Sequence, residues 1–419
     1  MPMSPPGKGR VPAPDPPASQ VTLAGLETDP HPVLARLRSA APAVWVPVLG
    51  AWLVTGYDLA VAVLRDARTF TVDDPRFSTA KVVGPSMLSL DGPAHARHRA
   101  PFNRPFRHDE VYARLAAFTQ AETGRLVSAI APQGAAELRR AVAGPLAVAV
   151  MAQVLGLGQV DPAQVLAWYD GIVAAVQAEA AVQAEAAAER PGLSTALTDP
   201  AGTTAFTELA ASLRAVIARG GRDGGLLAEV TGLAEAAGPL TGEEAISNAA
   251  VLLFGGIETT EGMIANAMLH LLSSPAQLAL VRAEPGLVPA AVEESLRLEP
   301  AAAVVDRYAT RDTRLGGAVV RAGDQVTVSI AGANRDPAVF ADPDAFDVRR
   351  PNSGRHLAFA HGPHFCLGAH LARLEARAAV ETLLARLPGL RLDSRHPSAP
   401  RGLVFRKPPA LPVRWDAAR

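Results

Sequence analysis

The segment Phe359-Ala-His-Gly362-Pro-His364-Phe-Cys366-Leu-Gly368 runs straight into an amphipathic pattern, with Leu367, Leu371, Leu374, Ala378 and Leu383 along one side. Cys366 therefore stands at or just before a helix start. Unpaired N–H groups and the positive dipole end stabilise a thiolate at such a place, and Gly362 and Gly368 let the backbone fold tightly enough for N–H groups to point at sulfur. This geometry suits a metal-bound thiolate. The competing readings are a small buried hydrophobe and a Cys–His nucleophile that uses His364.

Cys366 is the only cysteine in 419 residues, which excludes an intramolecular disulfide and any Cys-based zinc or iron–sulfur cluster. Forty basic against 41 acidic residues argue against nucleic-acid binding through bulk positive field. No segment reaches the ~18 apolar residues of a membrane span. Seven prolines among the first 17 residues, with no apolar run after Lys8 and Arg10, exclude a secretory signal and point to a disordered tail over residues 1–20. A cytoplasmic protein is expected.

Helix-period patterns dominate from Val21 onward, at 30–40, 57–65, 93–106, 110–130 and 138–155. Strand-like stretches are few, at 45–54, 313–320, 325–330 and 402–415, with turns at Gly316-Gly317 and Ala322-Gly323-Asp324. No Ser/Gly linker divides residues 21–419, so one large, mainly α domain with a small β region is expected. The repeat AVQAEA at 175–180 and 181–186 fits neither a heptad nor one helical face and reads as an exposed alanine-rich helix, a possible part of a lid.

Residues 246–272, ISNAAVLLFGGIETTEGMIANAMLHLL, should form a buried helix, yet Gly255, Gly256, Glu258, Thr259 and Thr260 all sit at its middle. Two glycines cost about 1 kcal/mol each there, and a buried carboxyl needs a partner. A glycine pair lets a flat cofactor approach the backbone, and a hydroxyl beside a carboxylate can pass protons. The structural alternative is a kink with Thr bonded one turn back. Glu294 and Arg297, in Glu294-Ser-Leu-Arg297, share one helix face and can pair.

Together these stretches resemble the cytochrome P-450 family from about residue 25 to Trp415: Phe-x-x-Gly-x-x-x-Cys-x-Gly, Gly-Gly-Ile-Glu-Thr and Glu-x-x-Arg occur in the family's order. The resemblance implies haem b (iron protoporphyrin IX) with Cys366 as axial ligand, framed by Phe359 and Gly368. By it Gly255 and Gly256 adjoin the haem, Thr259 is the alcohol that hands protons to reduced dioxygen, and Glu258 is its acidic partner. Glu294 and Arg297 are structural and are joined by Arg350, with Arg349 a second match. His95, Arg99, Arg307 and His364 hold the propionates. Two departures are Ala360, where glycine often follows the Phe, and Pro363.

The implied function is a bacterial-type haem-thiolate monooxygenase that hydroxylates a small organic substrate with O2, in natural product biosynthesis by family analogy. Epoxidation or oxidative coupling is the alternative, and a non-catalytic haem-thiolate sensor a remote one. No Gly-rich dinucleotide motif is present, so electrons are expected from NAD(P)H through a ferredoxin and ferredoxin reductase. Arg97, Arg104, Arg107, Arg373 and Arg377 would give the docking face its positive potential. The family places the substrate pocket at Phe77, Val82, Val83, Met87, Leu88, Leu252, Val304, Val305, Val404 and Phe405, an apolar set.

Overall fold

A helix apolar on every side needs protein on every side. In the computed structural model, which describes residues 16–187, 200–219, 226–227, 229 and 240–417, the helix Gly242–Ser273 runs through the middle of the molecule with most of its residues buried. Its start is fixed by a reciprocal capping box: Glu244 N–H donates to Thr241 Oγ1 at 3.2 Å, and Thr241 N–H to Glu244 Oε2 at 2.9 Å. It ends where Pro275 forces a new direction.

Around this central helix pack Gly92–Asn103, Gly144–Leu155, Pro162–Ala187, Pro200–Arg219, Val288–Leu298 and Ala369–Arg386, while His108–Ile130 packs outside them on Gly144–Leu155 and Ala369–Arg386. The pattern over 138–155 is not one α-helix. Residues Arg139–Ala143 form a π turn that leads into Gly144–Leu155. The alanine-rich repeat is less exposed than its composition suggests: Ala175 and Val176 are buried, and a Cβ on Gly202 would fall 2.2 Å from Ala175 Cβ, so Pro162–Ala187 and Pro200–Arg219 cross closely. The side chains of the second copy lie outside the described residues.

The strands are β1 (Ala43–Val46), β2 (Ala51–Val54), β3 (Phe70–Thr71), β4 (Ala135–Glu137), β5 (Val304–Ala309), β6 (Thr313–Leu315), β7 (Ala318–Val320), β8 (Gln325–Ser329), β9 (Arg391–Leu392) and β10 (Pro412–Arg414). The main sheet has the order β1-β2-β8-β5-β3, with only β2 and β8 parallel. The expected strand at 45–54 is a hairpin, turned at Pro47–Leu49 and Gly50, whose φ of +58° needs no Cβ. Most of 402–415 is irregular, as Pro408, Pro409 and Pro412 have no N–H to give to a ladder.

The tail boundary at residue 20 falls inside the fold. Pro16–Ser19 form a short helix, and Ala18 is buried against the N-terminal layer. Among the described residues no single helix is long and apolar enough to cross a membrane.

Candidate functional site

The loop around Cys366 is held by its own backbone. Cys366 N–H donates to Phe359 O at 2.8 Å, and Phe365 N–H to Gly362 O at 3.0 Å. Gly362 has φ +73°, and a Cβ there would lie 2.5 Å from Leu64 O, so glycine is required twice over. Pro363 takes the first turn of the 3-10 segment Gly362–His364, where it costs no bond. Ala360, the other departure from the family pattern, adopts φ +56°, a left-handed conformation that suits glycine better.

Burial pushes the Cys366 thiol up, while the Gly368 N–H and the charges of Arg99 and Arg373 pull it down. The helix-start donors expected to favour a thiolate are thus present but outweighed. A cation at sulfur, as metal coordination supplies, reverses that balance.

Four residues spread over the sequence converge beside this loop. The His95 and His364 rings lie 4.4 Å apart between centroids, Arg99 Nη2 donates to Phe365 O at 2.6 Å, and buried Arg307 lies within electrostatic reach of Asp91. Asp91 itself had no place in the sequence reading. Its carboxylate accepts from His364 Nε2 at 2.8 Å, Thr71 Oγ1 at 2.6 Å and Val72 N–H at 2.8 Å. Burial opposes ionisation of Asp91, but these three donors hold its carboxyl below the usual range.

His95 Nε2 is buried without a partner. An orphaned donor beside two arginines and a histidine is the chemistry that a pair of propionates would satisfy. Gly255 fits as well, because a Cβ there would meet nothing within 4 Å. The residues present therefore suit haem, which Cys366, His95, Arg99, Arg307 and His364 would hold.

Gly256 does not share that role. A Cβ on it would fall 2.3 Å from Met151 Sδ, so this glycine serves the crossing of the central helix with Gly144–Leu155. Thr259 Oγ1 donates back to Gly255 O at 2.6 Å. Glu258, one position earlier, makes no bond to Thr259. It is buried and bonded to Tyr169 Oη and, at 2.9 Å, to Lys407 Nζ.

The Glu294–Arg297 pair is fully buried and bidentate, with both bonds at 2.8 Å. Arg350 Nε joins Glu294 Oε1 at 2.9 Å, whereas Arg349 turns outward to Glu284. The remaining Arg297 donors reach the carbonyls of Asn334, Pro343 and Ala345.

The expected pocket residues divide. Val82, Leu88, Leu252 and Phe405 are half-buried against the main core, Val83 and Met87 are buried in it, and Phe77 is half-buried at the start of Ser78–Val83. Val404 is 42% exposed. Val304 instead lines a separate apolar cavity of about 20 Å³ with Leu26, Leu34 and Leu53, and Val305 packs into the sheet core. The two point to opposite faces of β5, Val304 toward the N-terminal segment and Val305 toward the sheet core.

The docking cations are mostly compensated. Arg97 forks onto Glu244, Arg104 pairs with Glu110, Arg373 with Glu293 and Arg377 with Glu381. Among the described residues Arg107 alone of the five has no carboxylate partner. His108 and His370 meet edge to face with ring centroids 5.5 Å apart, and Phe365 is 42% exposed.

A family model described as Cytochrome P-450 matches residues 225–411. The chain is 39% identical to the cytochrome P-450 monooxygenase PikC of Streptomyces venezuelae, covering 93% of this chain and 92% of that protein. It is 34% identical to the mycinamicin IV hydroxylase/epoxidase of Micromonospora griseorubida, covering 87% and 89%. The structure of cytochrome P-450 CYP109Q5 from Chondromyces apiculatus superposes with a TM-score of 0.82 at 30% identity, over 94% and 97% of the two chains. The Cys366 loop, the propionate-type cradle and the buried Glu294–Arg297–Arg350 knot thus occur in a chain that belongs to the cytochrome P-450 family of haem-dependent monooxygenases.

Proposed function

We propose that this monooxygenase hydroxylates an apolar natural product at a site between the central helix and the Cys366 loop. The observation that carries the proposal is the convergence of His95, Arg99, Arg307 and His364 beside a loop whose one thiol is Cys366. Haem, when bound, supplies the reductive activation of O2. Cys366 would be its ligand, Phe359 and Gly368 shape the loop, Arg99 and Arg307 would neutralise the propionates, and His95 and His364 would donate hydrogen bonds to them. Glu258 and Thr259 would move protons into the site from the central helix: the Thr259 hydroxyl would be the donor, and Glu258 would resupply it. Gly255 keeps the backbone close at that point.

Phe77, Val82, Val83, Met87, Leu88, Leu252, Val404 and Phe405 supply apolar walls for the substrate. Epoxidation is the second reading, favoured by the hydroxylase/epoxidase among the relatives. Electrons reach the site from NAD(P)H through a ferredoxin and its reductase in the cytoplasm, with Phe365, Arg107, His108 and His370 as the docking face.

The test is the spectrum of the dithionite-reduced protein under carbon monoxide. A long-wavelength Soret band in the wild type and its loss in Cys366→Ala are expected; retention in the variant refutes the ligand assignment. Product analysis with mycinamicin IV as first probe separates hydroxylation from epoxidation.

A further inference from the structure

The two oxygens of Glu258 are both occupied on the side of the central helix away from Thr259. Neighbouring helical residues point about 100° apart, so a carboxylate held by partners on its own side cannot also serve Thr259. Those partners come from two different elements. Tyr169 belongs to Pro162–Ala187, and Lys407 to the irregular C-terminal segment.

Lys407 also bridges to Glu261, one turn further along the central helix. Glu261 is held in turn by Arg139 Nε at 2.8 Å, from the π turn. The local glycines make room for this cluster. A Cβ on Gly262 would lie 3.5 Å from Lys407 Cβ and 3.0 Å from Ala301 Cβ, and one on Gly144 would lie 3.1 Å from Glu261 Oε1.

Residues 405–407 have isolated bridge pairings, Ala302 with Phe405 and Arg401 with Lys407, so the segment is extended and side chains alternate. Arg406 faces one way, 2% exposed, rooted on Glu299 Oε1 at 2.8 Å and on the carbonyls of Gly402 and Glu27. Phe405 and Lys407 face the other way. Phe405 meets Phe254 of the central helix edge-on, with centroids 5.6 Å apart. A ligand pressing on Phe405 therefore levers the segment about Arg406, and Lys407 is on the moving side.

We propose that Lys407 and Tyr169 are positioning residues that hold the Glu258 carboxylate away from Thr259 and release it when the pocket beside Phe405 is filled, so that proton supply depends on occupancy. The proposal rests on Glu258 being the relay acid. Its action is conformational: no bond is made, and the proton that Glu258 passes to Thr259 is replaced from the Glu261–Lys407 side.

The experiment uses holoenzyme in four forms: wild type, Lys407→Met, Lys407→Arg and Tyr169→Phe. Hydrogen exchange of peptides covering residues 162–178 and 402–411 is measured first. Loss of a charge-assisted tie should speed exchange about tenfold in both segments of Lys407→Met, with Lys407→Arg restoring protection. Substrate-free NADPH oxidation with a ferredoxin and its reductase is measured second. Lys407→Met and Tyr169→Phe should raise it, and Lys407→Arg should leave it near the wild-type rate.

Unchanged exchange around Tyr169 in Lys407→Met, or an unchanged substrate-free rate in both Lys407→Met and Tyr169→Phe, overturns the proposal. Tyr169→Phe removes a single hydroxyl and keeps the test open if Lys407→Met does not fold. A failure of the haem reading itself would show separately, as a missing carbon monoxide band, while the exchange arm needs only folded protein.

Discussion

His95 and His364 stack at 4.4 Å with their planes tilted by 46°, and only His364 has a carboxylate, that of Asp91. The two rings therefore do different work. His364 is oriented through Nε2. His95 is held neutral: burial, with the charges of His364 and Arg99, lowers its pKa to about 4.

Before propionates reach His95 that depression makes the fold acid-sensitive, and bound propionates would raise the His95 pKa again. A histidine titrates near pH 6.5 in the unfolded chain and near 4 in the folded one, so the unfolded state binds more protons throughout that window. Stability is complete above the window and falls as pH drops through it, by up to roughly 3 kcal/mol for one such group. His270, which burial likewise lowers to about 4, adds a second contribution of the same sign. Thermal melts between about pH 7.5 and 4.5 should show Tm falling with acid, and His270→Gln should flatten the slope. A slope unchanged by that substitution would show that His270 does not contribute.

The two neighbouring arginines 349 and 350 should behave unlike each other. Arg350→Lys removes the single Nε bond that Arg350 adds to the fully buried Glu294 and frees the carbonyls of Ala341, Asp342 and Ala345, a loss of about 3 kcal/mol or more. Arg349→Lys alters only an exposed pair and should stay within about 0.5 kcal/mol. Urea melts of both variants decide the matter.

The paired glycines invite a similar contrast. Gly256→Ala drives a methyl into Met151 and should cost about 1–3 kcal/mol, with a smaller cost when it is made in a Met151→Ala background. Gly255→Ala meets no protein atom and should raise the stability of the apoprotein helix by about 0.5–1 kcal/mol. Equal effects of the two single substitutions would remove the packing role given to Gly256.

Ala360→Gly should relieve the left-handed strain at φ +56°. The gain of about 1–2 kcal/mol is offset by the entropy of a glycine, about 0.5–1 kcal/mol, leaving a small rise in Tm. A fall in Tm would mean that the Ala360 methyl contributes packing that outweighs its strain.

What could be read from the chain was the part written in local chemistry. Cys366 with its two glycines, the polar interruption of an apolar helix and the i, i+3 spacing of Glu294 and Arg297 each break a pattern for a reason visible within ten residues. The partners that complete them are non-local. Lys407 and Tyr169 approach Glu258 from 149 positions beyond and 89 before it, and neither has a spacing that marks it.

Asp91 stood in plain view as the residue opening the His95 helix, but an N-cap reading accounts for an aspartate there, and its side chain caps nothing. Val304 lines a cavity with the N-terminal segment, which the sequence did not show because apolar character alone does not distinguish a pocket wall from a sheet core. The short strand β3 and the buried strand β5 lacked any alternation to announce them, since β5 is buried along its second half.

Every partner of Glu294, Arg297 and Arg350 named above is a protein atom, and between them these three side chains tie the helix Val288–Leu298 to the carbonyls of residues 334–345. The segment that leads into the Cys366 loop is thus anchored by the polypeptide's own folding. The approach to that loop is fixed by contacts that involve no residue of the propionate cradle, so less chain ordering would oppose capture of a prosthetic group there.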